Sequence, residues 1–138
     1  MQSFPEMGTI MKFAEEKDLD INSKVMKERQ KASLGTGNLI KYIEDYFSPQ
    51  ADFRSIVVLS QIMQAFAIKS AVEIHRRSMP FCMGTLYWQF NDCWPAISWS
   101  SVDYFGNWKA LHYHAKRFFN EIIIAVSYTH LRAHETRS

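Results

Sequence analysis

Phe81-Cys82-Met83-Gly84-Thr85-Leu86-Tyr87-Trp88 is the stretch on which the fold of this chain turns. Ser78-Met79-Pro80 stands directly before it, and a proline there ends a helix, because it lacks an N–H and crowds the preceding turn. The eight residues are apolar and β-prone with little polar alternation, the pattern of a strand covered on both faces. Upstream, Ile56, Leu59, Met63, Ala67, Ala71 and Ile74 step by three or four, which predicts one long helix from Phe53 to Arg77 with a single buried stripe. Downstream, a polar and aromatic loop from Gln89 to Gly106 leads to a last helix marked by Trp108, Leu111, Ala115 and Phe118. Helix, buried strand, long loop and helix in that order are α/β grammar.

The pattern is weaker toward the amino terminus. Pro5 and Glu6 suit a first helical turn, and Met7, Ile10, Met11 and Ala14 continue it as far as Asp18-Leu19-Asp20. Asn22 or Ser23 can cap a second short helix through about Gln30. Leu34-Gly35-Thr36-Gly37-Asn38 reads as a turn, and Leu39, Ile40, Ile43 and Phe47 give the next helix an apolar face that Ser48-Pro49 stops. Asn120 to Ala125 reads as the start of another strand.

Composition limits the function. The chain has 138 residues, 47% hydrophobic and 22% charged, enough for one ordinary globular domain. Sixteen basic and 14 acidic residues are scattered rather than patched, which leaves no electrostatic footprint for nucleic acid or an anionic membrane surface. The aliphatic runs around Ile56 to Leu59 and Ile122 to Ala125 fall short of the roughly 20 residues of a membrane span. Cys82 and Cys93 fit neither a disulfide framework nor a zinc pattern, and read as two partly buried thiols. His112 and His114, two apart, do not share the helical face that metal ligands need. Gly35-Thr36-Gly37 lacks the strand and third glycine of a dinucleotide loop. No serine sits in a nucleophile elbow. Aromatic residues make 14% of the chain, and all four tryptophans lie between Trp88 and Trp108, so function is sought there.

The run Met83-Gly84-Thr85-Leu86-Tyr87-Trp88-Gln89-Phe90-Asn91-Asp92-Cys93-Trp94-Pro95, continued by Ser98-Trp99-Ser100-Ser101-Val102-Asp103-Tyr104-Phe105-Gly106-Asn107-Trp108-Lys109-Ala110-Leu111-His112-Tyr113, closely resembles the β-mannosidases of glycoside hydrolase family 2. Leu59-Ser60-Gln61-Ile62-Met63-Gln64-Ala65 and His75-Arg76-Arg77 resemble the helix before that motif. Gln2-Ser3-Phe4-Pro5 resembles the segment after the family's nucleophile. The resemblance runs over residues 1 to about 125; Phe66, where a polar residue is expected, is a packing variation. From Val126 the chain instead resembles one reading frame of a transposase-derived sequencing adapter, up to Thr136, and that stretch is set outside fold reasoning.

The resemblance implies an α/β fold that is an incomplete (β/α)₈ TIM barrel, its C-terminal portion from about the end of strand seven to helix eight. Residues 1–119 are then barrel, 120–125 the start of a following β-sandwich domain, and 126–138 adapter-derived. It also implies an exo-acting retaining enzyme that releases terminal β-D-mannose from oligosaccharides or glycan cores, with no metal or organic cofactor. A retaining glycosidase needs two carboxyl groups about 5 Å apart. By resemblance the nucleophile lies in a Glu-(Phe/Tyr)-Gly segment just upstream of Met1, and the acid/base farther upstream, so no catalytic residue falls in this chain, which is expected to be inactive alone. Glu6, Glu15 and Glu16 read as solvated helix residues.

The expected substrate-binding residues are Trp88, Asn91, Asp92 and Trp94. Trp88 at the strand end places an indole where it can pack on the C–H face of a pyranose. Asn91 and Asp92 either bond sugar hydroxyls or brace the turn, and Trp94 before Pro95 favours loop packing. Two rival readings are another family 2 hydrolase, such as a β-glucosaminidase or β-galactosidase, and a non-catalytic carbohydrate-binding module. The module requires a self-contained fold, whereas one buried strand cannot satisfy its backbone groups without neighbours. The isolated polypeptide is therefore expected to fold poorly and to aggregate through apolar stripes.

Overall fold

The computed structural model describes residues 1–48 and 52–125, so Pro49 and the adapter-like run from Val126 to Thr136 lie outside the described residues. Five α-helices follow one another: α1 Met7–Ile10, α2 Lys24–Arg29, α3 Gly35–Glu44, α4 Phe53–Arg77 and α5 Ala110–Phe118. A short 3₁₀ turn at Glu16–Asp18 stands where the first helix was expected to continue. Of the two expected caps, Asn22 and Ser23, it is Ser23 that starts α2, its hydroxyl accepting from the Met26 amide. α3 absorbs the predicted Gly-Thr-Gly turn as its first turn. Gly35 packs so closely that a Cβ there would meet the Gln30 and Gln2 side chains at 2.4 to 2.5 Å.

The long α4 is the axis of the molecule. Asp52 caps it by accepting from the Ser55 amide at 2.9 Å, and Arg76 near its far end caps α5, donating to the carbonyls of Phe118, Asn120 and Glu121 at 2.8, 2.5 and 2.9 Å. One apolar cluster lies against its first half: Phe4, Ile10, Met26, Leu39, Ile43, Phe53, Ile56, Val57, Met63 and Ile97. A second joins its second half to α5 through Ala65, Val72, Leu111, Ala115 and Phe118. By length and composition α4 is apolar enough to cross a bilayer, which the short aliphatic runs had not suggested. Its buried Ser60, Gln61 and Gln64 are nonetheless hydrogen-bonded to the chain around them, as in a core helix.

Two expectations need correction. The predicted stripe on α4 holds at Ile56 and Met63, but Ala67 is exposed and Ile74 is 51% exposed, because Val72 rather than Ile74 faces α5. The predicted buried strand Phe81–Trp88 is neither a strand nor buried: Phe81 and Leu86 are each 98% exposed and Trp88 71%. Among the described residues only isolated β-bridges occur, Ser3 with Ser98, Gln30 with Ile97, and Val102 with Asn91 and Trp108. The physical reason is pairing: a strand exists only beside another strand, and no described segment offers a ladder to residues 81–88. Residues 120–125 likewise form no strand, with Ile122 and Ile124 87% and 90% exposed.

Candidate functional site

Exposure alternates from Thr85 to Trp88, with Thr85 and Tyr87 half-buried and Leu86 and Trp88 exposed, the period of two of an extended backbone. Thr85 Oγ1 lies 2.9 Å from His75 Nδ1 on α4, and the Tyr87 ring packs edge-on against Phe118 and stacked on Phe119. These residues cover the helices. Leu86 and Trp88 therefore take the opposite face, which no described element covers. Both the Met79–Pro80 and Trp88–Gln89 peptide bonds are cis.

Beyond Trp88 the loop doubles back and is held by polar groups. The Gln89 amide donates to Trp99 O at 3.2 Å, and the Ser101 and Val102 amides donate to Phe90 O at 3.1 and 2.9 Å. The Asp92 carboxylate, 7% exposed, accepts from Ser98 Oγ (3.0 Å), Ser100 Oγ (2.6 Å) and Gln89 Nε2 (3.3 Å). Asp92 thus ties three points of the loop together, while its neighbour Asn91 is exposed. Trp94 is half-buried, with the Arg29 guanidinium and the Lys31 ammonium 4.9 and 4.6 Å from its ring centroid, and Arg29 also donates to Pro95 O at 3.2 Å. Trp88 and Asn91 are the open members of the expected set, and Asp92 and Trp94 the engaged ones.

The amino-terminal segment is the second wall. Ser3 and Ser98 exchange backbone hydrogen bonds at 2.9 and 3.2 Å. Gln64 of α4, fully buried, accepts from Ser3 Oγ at 2.7 Å and donates to Met1 O at 3.2 Å and Trp99 O at 3.0 Å. The Phe4 amide donates to Ser60 Oγ at 3.0 Å. Farther along, the Asp103 carboxylate accepts from the Thr9 hydroxyl, from the Phe105 and Asn107 amides at 3.0 and 2.9 Å, and from Asn107 Nδ2 at 3.2 Å. Gly106, at φ 86°, makes the turn that lets those amides converge. A groove of about 410 Å³ opens beside Met1, lined in part by Gln2, Asn38, Tyr42 and Trp99.

Lys109 lies between these walls, with no solvent exposure. Its Nζ approaches Ser3 O at 3.3 Å, Ser98 O at 3.4 Å and Ser100 Oγ at 3.3 Å. Burial lowers its pKa to about 8, against the opposing pull of Asp92, Asp103 and Glu6. Sequence reasoning missed this residue, because a lysine preceding a helix is ordinarily a solvated one. Gln64 and Asp103 were missed as well, since nothing in their local spacing separates a buried polar residue from an exposed one.

No family model matches the chain. It is similar to the β-mannosidase of Capra hircus, 38% identical over 88% of this chain and 15% of that protein. It is also similar to β-mannosidase B of Aspergillus terreus, 35% identical over 94% of this chain and 16% of that protein. Among solved structures it superposes on the β-D-mannosidase of Dictyoglomus thermophilum with a TM-score of 0.83 and 40% identity, covering 86% of this chain and 15% of that one. An exo-β-D-glucosaminidase, at 18% identity and a TM-score of 0.74, shares the fold. The chain is thus homologous to a part of glycoside-hydrolysing enzymes, and in particular it is a homologue of the β-mannosidases. It spans about 15% of the length of the curated mammalian relatives it matches.

Proposed function

We propose that this chain is the last part of the catalytic barrel of an exo-acting retaining β-mannosidase, with residues 1–119 in the barrel and 120–125 leading into a following β-sandwich. In that enzyme the nucleophile precedes Met1, and the substrate is a terminal β-D-mannose of an oligosaccharide or glycan. The observation that carries the reading is likeness to β-mannosidases through the tryptophan segment: a match covering 88% of the chain necessarily includes Trp88 to Trp94. The bare face of 81–88 supports it, since Leu86 and Trp88 point away from the helices toward the space that neighbouring strands fill in a closed barrel.

The roles divide by exposure. Trp88 forms the floor under the cleaved mannose, and Asn91 beside it offers an amide to sugar hydroxyls. Asp92 serves the same site from beneath, holding the loop through Ser98 and Ser100, and Trp94 is set by Arg29 and Lys31 at the loop's outer side. The groove beside Met1 leaves room for the rest of the oligosaccharide, because Trp99 lines it and also accepts the Gln89 amide bond next to Trp88.

The test is kinetic. The full-length gene product is assayed on aryl β-D-mannopyranoside, β-D-glucosaminide and β-D-galactopyranoside, with and without Trp88→Ala. Mannoside is expected to be preferred, and W88A to lower kcat/KM about 50-fold, equivalent to roughly 2–3 kcal/mol of lost stacking. Preference for another sugar, or a W88A effect below threefold, contradicts the reading.

A further inference from the structure

Lys109 sits where two walls of the proposed site meet, and its partners do not need it. Ser3 and Ser98 already satisfy each other's backbone groups, and the Ser100 hydroxyl already donates to Asp92 at 2.6 Å and lies 2.9 Å from Ser98 Oγ. The ammonium adds a further donor to each. No carboxylate among the described residues pairs with it at contact distance; Asp92, Asp103 and Glu6 act on it only through space. A fully buried cation held by neutral acceptors costs stability relative to an apolar side chain of similar volume. An expense of that kind at one point of an otherwise satisfied network marks a functional constraint.

We propose that Lys109 is a positioning residue for the reaction of the longer enzyme, clamping the Ser3 segment onto the Ser98–Ser101 loop so that the chain entering at Met1 is held at a fixed distance from the Trp88 wall. This rests on the reading of the chain as part of a retaining β-mannosidase. Under that reading the attacking carboxylate lies a few covalent links from Ser3, whereas the sugar lies on Trp88. Ser98 and Ser100 reach the Trp88 wall through Asp92 and Gln89. A displacement of one wall against the other moves the nucleophile relative to the anomeric carbon, and such a shift of about 1 Å can cost on the order of 100-fold in rate. It leaves the stacking surface itself intact.

The experiment compares wild type, Lys109→Met and Ser100→Ala in the full-length enzyme on an aryl β-mannoside, with inhibition by free mannose measured in parallel. K109M keeps the buried volume and removes the charge. Its kcat is expected to fall about 30- to 100-fold, while the inhibition constant for mannose stays within about twofold. S100A, which removes one of the three acceptors and keeps the lysine, is expected to lower kcat about threefold to tenfold, and it carries the test should K109M not fold. A merely structural lysine predicts that kcat and mannose binding change together. That result, or a kcat within threefold of wild type in both variants, overturns the proposal. A wild-type enzyme inactive on every β-mannoside overturns the proposed function instead, and this inference with it.

Discussion

Replacing Gln64 by leucine isolates the contribution of one buried amide to the wall that carries residues 1–4. The side chain has no solvent exposure and makes three hydrogen bonds, with Ser3 Oγ, Met1 O and Trp99 O. Leucine has nearly the same volume, so packing is conserved and the loss is polar. Trp99 O keeps the Gln89 amide as a donor, but Ser3 Oγ loses its acceptor and Met1 O its donor. The buried Ser3 hydroxyl and the half-buried Met1 carbonyl, both left unsatisfied, cost about 1–2 kcal/mol each, or about 3 kcal/mol in all. Hydrogen exchange reads this locally: the Ser3 and Phe4 amides, bonded to Ser98 O and Ser60 Oγ, are expected to exchange about 100-fold faster in Q64L, with α5 unchanged. Adding Ser3→Ala removes one orphaned hydroxyl and is expected to recover about 1 kcal/mol. Exchange at Ser3 and Phe4 within threefold of wild type means that the Gln64 amide is no part of what holds the segment.

Three further outcomes are expected. Lys109 releases its proton at about pH 8 in the folded protein against a reference of 10.5; the unfolded chain therefore holds more protons between those values, and stability rises with pH across that window. The gain of wild type over K109M between pH 7 and 10 is about 2–3 kcal/mol in chemical unfolding, and equal slopes for the two proteins contradict it. Leu111→Ala, at a residue 1% exposed between α4 and α5, is expected to destabilise α5 by about 3 kcal/mol and to speed tryptic cleavage after Lys116 and Arg117; unchanged cleavage counts against the packing described. The 138-residue polypeptide alone is expected to self-associate in sedimentation through Phe81, Leu86, Ile122 and Ile124, all at least 87% exposed, and Leu86→Lys to shift it to smaller species. A monomer that melts cooperatively shows instead that the chain closes its own fold.

What could be read in the sequence was what local periodicity encodes. The length of α4 and the α5 positions Leu111, Ala115 and Phe118 follow from spacing, and Ser23 is one of the two caps expected for α2; Trp108, expected on the last helix, lies before it and is 43% exposed. Residues 81–88 failed for a different reason. Their pattern describes an environment of flanking strands, and the described residues do not provide one, so an apolar run written for burial lies at the surface. Leu34-Gly35-Thr36-Gly37-Asn38 carries the glycines of a turn, yet Gly35 starts α3, where a Cβ would meet the Gln2 and Gln30 side chains at 2.4 to 2.5 Å. At the proposed site, Trp88 and Asn91, both exposed, stand out in the sequence as residue types in a motif. The residues that fix their framework, Gln64, Asp103 and Lys109, are polar groups brought together over separations of up to 106 positions, and no local window contains that information.

Contiguous long-read sequencing across the source locus decides whether this chain is part of a longer β-mannosidase reading frame. The expected result is an open frame running through a Glu-(Phe/Tyr)-Gly segment immediately before Met1, and genomic sequence that departs from this chain at Val126. A translation start directly before Met1, with genomic codons for Val126 to Thr136, contradicts it.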